Sequence, residues 1–338
     1  MVYEKGKIIM SKIVSVIIPC YNGEDVISRS IESVYMQKCD NYIIELIVVD
    51  DGSTDGSQKI INSWKSSFQK KGHLFKYVYQ NNSGLGGAIN KGLKYVTGEY
   101  LTLLDADDCF IQGSIKKRAD FLEENLDYAG VRTNGWQDKH GVRKLFVTNP
   151  EEKKDTNLFD RLIGGNATNW AGSYMIRTND LFSFYPMREI YPSRFGQNMQ
   201  ILLPLSYKTK FGFIDEPLMI YFLQDNSHSQ AATPEEQLIK NDVNFYGYQD
   251  IYLHMLDLTV KNEKEYNYYL NIIKSWQYKH ELKKAMLQGD KEKMEIFFDK
   301  YKATGRMTLN EEIEFCMELN FIKAIILKIY RRLRTVFC

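Results

Sequence analysis

From residue 13 to residue 104 short β-branched runs alternate with amphipathic stretches, and few folds accept that order. The runs VSVII (14–18), IIELIVV (43–49), LFKYVYQ (74–80) and EYLTLLD (99–105) read as strands, most of them apolar enough to be buried. Between them, residues 24–37, 57–68 and 86–96 carry apolar side chains at helical spacing. Strand, helix, strand in this order makes βαβ units, which build a parallel sheet covered on both faces. The expectation is an α/β fold with a Rossmann-like, doubly wound, mostly parallel central sheet.

Ligands of such open sheets bind in the crevice beyond the carboxyl ends of the strands. That rule selects residues 19–22, 50–57 and 105–108. Two of these segments are strongly acidic, Asp50-Asp51-Gly52-Ser53-Thr54-Asp55 and Asp105-Ala106-Asp107-Asp108. Carboxylates crowded at strand ends repel one another, and a hard divalent cation with oxygen ligands relieves that repulsion. If residues 105–107 are extended, Asp105 and Asp107 point the same way and reach one metal, with the small Ala106 between them. The plainer readings are a turn or a helix cap. Such a cap explains Asp55, or Ser53, but leaves Asp50 and Asp51 unused.

Length and composition narrow the field without deciding it. A chain of 338 residues suits one large α/β domain with a smaller appendage. The net charge of +1 offers no general attraction for nucleic acid. The five cysteines are scattered and include no Cys-x-x-Cys pair, which argues against a disulfide framework or zinc site and suits a reducing cytoplasm. The apolar run 13–18 is too short for a spanning helix and reads as the first buried strand. Alternation weakens beyond Asp108, with helices expected near 112–124, 155–163 and 197–207 and strands near 128–133 and 172–176. Long helical patterns take over at Pro234, so the expected division is an α/β domain, 1–232, and a helical region, 233–338. Within the first, the weakening beyond Asp108 separates 13–110 from 111–232.

The segments IPCYN (18–22), VVDDGSTDGS (48–57), NNSGLGGAINKGL (81–93) and LLDADD (103–108), in this order, resemble the family 2 inverting glycosyltransferases of GT-A fold. The likeness is dense over roughly the first 110 residues and thinner afterwards. It implies transfer of a sugar from a nucleotide diphosphate donor, a UDP-sugar, to a hydroxyl of a saccharide acceptor, with Mn²⁺ or Mg²⁺ as cofactor, and makes 1–232 the catalytic domain, with 13–110 its nucleotide-sugar half and 111–232 its acceptor half. Pro19, Tyr21 and Asn22 match the segment that frames base and ribose, and Asp50 or Asp51 the acid that contacts uracil or ribose. Asn81, Gly84, Gly87 and Asn90 match the loop and helix start against the nucleotide-sugar, where free backbone N–H groups would favour an anion. Asp105 and Asp107 match the Asp-x-Asp pair, with Asp107 as direct metal ligand. His228, in the polar stretch after residue 223, matches a position near metal and diphosphate.

The second half departs from that pattern. Many family members carry an acidic pair before an apolar helix, one of which serves as general base; here Gln197 and Asn198 stand in that place. An amide takes no proton from an acceptor at neutral pH. Three readings are open: the amides orient the acceptor while another acid is the base, the correspondence is shifted, or activity is impaired. The first makes Glu189 the nearest base, with Asp180 and Asp108 behind it, and gives Arg194, Gln197 and Asn198 to the acceptor. Arg194 would pair with phosphate or with Glu189. The third leaves a degenerate sugar-nucleotide-binding or scaffold protein as the alternative.

The stretch 321–334 is a basic amphipathic pattern, with Ile322, Ile325, Ile326, Ile329 and Leu333 on one face and Lys323, Lys328, Arg331, Arg332 and Arg334 on the other. It suits an anionic membrane surface, or equally packing on neighbouring helices. The resemblance favours the membrane, because bacterial members build capsule and wall polymers on lipid carriers. The expected location is cytoplasmic, peripheral at the inner face of the membrane.

Overall fold

The computed structural model describes residues 2–4, 7–9, 11–39, 41–223 and 234–319. A two-stranded antiparallel hairpin, β1 (Val2–Glu4) and β2 (Lys7–Ile9), precedes the first strand expected from the sequence. There follow β3 (Lys12–Cys20), α1 (Ile27–Tyr35), β4 (Tyr42–Asp50), α2 (Ser57–Ser63), α3 (Lys65–Lys70), β5 (Leu74–Tyr79), α4 (Gly84–Leu93) and β6 (Tyr100–Leu103). β5, β4, β3 and β6 lie side by side, all parallel. Burial explains their composition: β3 and β4 are covered on both faces and are apolar almost throughout, whereas the edge strand β5 leaves Leu74 and Tyr79 exposed. Ile27, Ile31 and Val34 of α1 close one face over Val14, Val16 and Ile18. On the other, Gly92 lets α4 come close, since a Cβ there would stand 2.8 Å from Ile17.

Beyond β6 come β7 (Cys109–Phe110), α5 (Ser114–Glu124), β8 (Tyr128–Lys139), β9 (Val142–Leu145), α6 (Pro150–Lys154), α7 (Leu158–Ile163), β10 (Tyr174–Arg177), α8 (Thr178–Phe184), α9 (Gln197–Ser206) and β11 (Lys210–Phe222). The nine-stranded sheet continues as β6-β10-β8-β11-β7, with β9 on β8. β10 runs antiparallel to β6 and β8, so this half is mixed while the first is parallel. The expected strand near 128–133 extends to Lys139 because β10, β11 and β9 all pair along it. The helix expected near 155–163 is α7, and α6 precedes it unannounced; each is begun by an asparagine cap, Asn149 accepting from Glu151 N and Asn157 from Asp160 N.

Two compact units divide the chain, residues 1–251 and 252–338. The helix expected from Pro234 is α10 (Pro234–Thr259); the proposed domain boundary before it lies outside the described residues. The second unit contains α11 (Glu263–Gln288), α12 (Lys291–Ala303) and α13 (Leu309–Leu319) around Leu282, Met294, Phe298, Tyr301 and Phe315. Asn262 and Asp290 cap α11 and α12 through side-chain acceptors, and Gly289 ends α11 in the left-handed conformation. No described helix is long and apolar enough to cross a membrane. The basic amphipathic segment 321–334 lies outside the described residues, as does His228.

Candidate active site

The loops after β3 and β4 are laced together. Asp51 N donates to Cys20 O at 2.8 Å, prolonging the strand pairing by one residue. Asn22, at φ +47°, donates its N–H to Ser53 Oγ and accepts from Thr54 N with its side chain at 2.9 Å. Glu24 N donates to Asp55 Oδ2, Gly56 N to Glu24 Oε2, and Gly23 N to Ser57 Oγ. Asp55 also accepts from Ser57 N at the start of α2, the capping role read from the sequence. Pro19 is buried inside β3, so it shapes the strand end, while the Tyr21 ring is 55% exposed at the crevice mouth. Burial pushes the Cys20 thiol up to about 11, which keeps it inert.

Asp50 and Asp51 are buried and spoken for, which corrects the expectation that capping leaves them unused. Asp50 Oδ1 accepts from Ser53 N and Oδ2 from Tyr77 Oη, both at 2.8 Å. Asp51 caps α4, a helix more than thirty residues away in sequence: Oδ1 accepts from Ser83 N at 2.9 Å and Gln80 Nε2 at 2.6 Å, and Oδ2 from Gly84 N at 2.8 Å. Two N–H groups expected to be open to an anion are thus taken by a carboxylate. Gly84, at φ +77°, faces open space, and Asn81 is exposed. Gly87 sits tight against Ser83 Oγ. The Asn90 amide accepts from Ile190 N and donates to Ile190 O, clamping the segment before α9 onto α4.

Residues 105–108 form a turn closed by Asp108 N donating to Asp105 O at 3.1 Å, not the extended segment that alternation assumed. The turn gathers three carboxylates instead of two. Burial first, then the Asp107 charge, pushes Asp105 up to about 7. Asp108, fully enclosed, is held well above the usual carboxylate range by burial, then by Asp105 and Asp107. Its Oδ1 accepts from Phe222 N at 3.0 Å, and its Oδ2 has no hydrogen-bond partner. An orphaned buried carboxylate oxygen beside two further carboxylates has the oxygen chemistry a hard divalent cation takes, but no three acid, histidine or cysteine side chains among the described residues are grouped to hold an ion by themselves, so a bound ion would need oxygens from a ligand.

An aspartate whose folded pKa exceeds its unfolded value contributes stability that is fully present below the unfolded pKa and is lost as pH rises through the folded one. Without divalent ions, thermal melts of Asp108→Asn are therefore expected to gain on wild type as pH rises from about 5 to about 8. A difference independent of pH would remove the acid cluster as its source.

At the start of α9, Gln197 is buried and donates to Ser193 O at 3.1 Å, while Asn198 Oδ1 accepts from the buried Tyr174 Oη at 2.8 Å. Glu189 pairs with Lys94, the residue that ends α4, each side chain half exposed, and not with Arg194 as one reading had it. Arg194 is exposed. Asp180 lies in the first turn of α8, its pKa raised by burial. Asp108 is closed off from solvent, which removes the access that a base for an incoming hydroxyl needs.

Sequence reasoning missed the residues that surround the acid turn. Arg29 of α1 donates to Asp107 O at 2.6 Å and lays its guanidinium 3.8 Å over the Phe222 ring. Ser30 Oγ donates to Asp105 O at 3.2 Å. Tyr221 stacks on Trp170 at 4.8 Å and 20°, and burial followed by the charges of Asp108, Asp105 and Asp107 pushes its phenol up. A lone tryptophan in the polar stretch NATNWAGS was the one available signal.

The family model for Glycosyl transferase family 2 matches residues 15–190. An uncharacterized glycosyltransferase of Rickettsia bellii is 39% identical over 112 residues, 33% of this chain and 15% of that protein. A poly(ribitol-phosphate) beta-glucosyltransferase of Bacillus spizizenii is 34% identical over 152 residues, 44% of this chain and 23% of that protein. The chain thus matches less than half the length of these relatives. Among solved structures, S. aureus TarS 1–349 in complex with UDP-GlcNAc aligns with a TM-score of 0.59 at 18% identity, covering 90% of this chain and 81% of that one. That likeness bears on fold, and agrees with the GT-A architecture expected from the motifs.

Proposed function

The chain belongs to glycosyl transferase family 2, and from that premise we propose that it moves a sugar from a nucleotide diphosphate donor to an acceptor hydroxyl with inversion, assisted by a divalent ion. The observation that carries this reading is the turn of three carboxylates, one with an orphaned oxygen, at the mouth of the parallel half-sheet. Asp105 and Asp107 would be this chain's share of the ligands to Mn²⁺ or Mg²⁺, with the donor diphosphate supplying the remaining oxygens. When bound, such an ion offsets charge developing on the departing diphosphate.

The chain's own residues do the rest. The laced loops around Asn22, Asp50 and Asp51 form a rigid rim, with the exposed Tyr21 ring available to the base. Asp51, already committed to α4, fixes where that helix begins, and so where Gly84 and Asn81 meet the donor. Asn198 has its carbonyl oxygen held by Tyr174, which leaves its amide N–H₂ to orient an acceptor hydroxyl. Glu189 is the proposed base, its carboxylate paired with Lys94. A UDP-sugar donor is supported by the UDP-GlcNAc bound to the neighbour in fold, and a saccharide acceptor on a lipid carrier by the motif resemblance alone. Work at the inner membrane face through 321–338 belongs to the same proposal.

A panel of nucleotide sugars with and without Mn²⁺ tests it, reading nucleotide release and thermal shift. Metal-dependent release from one donor is the expected result, and Glu189→Gln should suppress transfer to acceptor while sparing the thermal shift. No binding of any nucleotide sugar with metal present would sink the transferase reading; binding without turnover would favour the scaffold alternative raised by Gln197 and Asn198.

A further inference from the structure

Trp170 and Tyr221 take no part in the donor chemistry above, yet both are large rings left partly in solvent beside the acid turn. Register fixes Tyr221: Ile220 pairs with Cys109, and Phe222 N donates to Asp108, so Tyr221 stands between two residues tied to the turn. Trp170 arrives from the opposite side. Gly172, at φ +80°, packs against Leu104, the residue before Asp105, and Ser173 donates to Trp170 O through both N and Oγ. The loop is anchored beneath by a buried ion pair, Arg132 to Glu152 at 3.0 Å, whose carboxylate also accepts from Thr168 N and whose guanidinium donates to Thr168 O. Asn169 reaches Met199 of α9.

The rings meet at 4.8 Å and 20°, and the Phe146 edge buttresses Trp170 at 3.8 Å and 89°. Stacked aromatics with part of their surface open are what an amphipathic ring with an apolar C–H face requires. A pyranose is such a ring, and an acyclic polyol is not.

Resting on the transferase reading, we propose that the Trp170–Tyr221 wall is the seat of the acceptor, a pyranose whose C–H face lies on the wall while its hydroxyl is turned toward the acid turn. Both residues come from the second half of the sheet, whereas the rim assigned to the nucleotide is built from the loops of β3, β4 and β5. The acceptor therefore takes this side.

The test compares methyl β-glucopyranoside, methyl N-acetyl-β-glucosaminide and ribitol as acceptors, with donor hydrolysis by water measured in parallel. Wild type is expected to prefer a pyranoside over ribitol. Trp170→Ala should raise the pyranoside KM and lower the ratio of transfer to hydrolysis by about tenfold, the scale of one lost stacking contact. Trp170→Phe, which keeps a ring, should fall between the two. Should Trp170→Ala fail to fold, Trp170→Phe and Tyr221→Leu carry the same comparison. An unchanged ratio, a parallel loss of hydrolysis and transfer, or a wild type that uses ribitol or none of the three would overturn the proposal. A wild type that hydrolyses no donor fails earlier, at the transferase reading itself.

Discussion

With Asp107 replaced by alanine, transfer is expected to fall by about 10² to 10³-fold, the scale on which removing one group that stabilises developing charge acts. Of the three carboxylates in the turn, Asp108 is enclosed and tied by one oxygen to Phe222 N, and Asp105 is the residue whose pKa burial and the Asp107 charge raise to about 7. Asp107 keeps access to solvent, so it is the one best placed to meet an incoming ion with its nucleotide. The same substitution removes a negative charge that opposes ionisation of both neighbours. Stability without metal should therefore hold or rise while activity collapses. Initial rates at saturating Mn²⁺ together with thermal melts in chelator separate the two effects. A variant that loses activity and melting temperature together would assign Asp107 to structure and not to the ion.

Half of this site could be read from the chain before any fold was known, and the reason is physical. Strands buried on both faces must be continuously apolar, so β3, β4 and β6 announce themselves, and an acid at the end of such a strand has no place in the core. Helix α4 begins near where its glycines suggested, but its cap does not: Ser83 bears no capping bond, and Asp51 supplies one across thirty-two residues. Capping by a distant side chain has no local signature. The acid turn escaped for a related reason, since Asp-Ala-Asp-Asp is compatible with extended and turned backbone, and contacts from Arg29, Ser30 and Phe222 accompany the turn. The mixed half of the sheet was least legible. β8 draws its length from three partners, and β11 pairs with it in parallel only after α9 has intervened.

Replacing Arg118 with alanine is expected to cost about 4 kcal/mol or more, enough to threaten folding, because it would break a buried hydrogen-bond network. Arg118 is fully buried on α5, and among the described residues no carboxylate pairs with it. Its guanidinium instead donates to Ser114 O, Ser114 Oγ, Thr102 Oγ1, Gly172 O and Tyr174 O, and lies 4.7 Å from the Phe110 ring. Burial lowers its pKa to about 9, so it is charged at neutral pH. Burying such an ion costs several kcal/mol. Nη1 shares its two N–H groups among three acceptors, so at most four full charge-assisted hydrogen bonds, at about 1.5 to 3 kcal/mol each, offset that cost. Their acceptors lie on β6, on α5 and around the start of β10, just below the acid turn and the Trp170 loop. Truncation therefore takes the donor from Gly172 O, while Tyr174 O keeps Thr102 Oγ1, and loosens the strands that carry the site. Arg118→Met keeps volume but satisfies none of these acceptors, so it should recover only the packing share of the loss. Urea denaturation measures both variants. A methionine variant as stable as wild type would mean that the cost of the buried charge had cancelled its bonds.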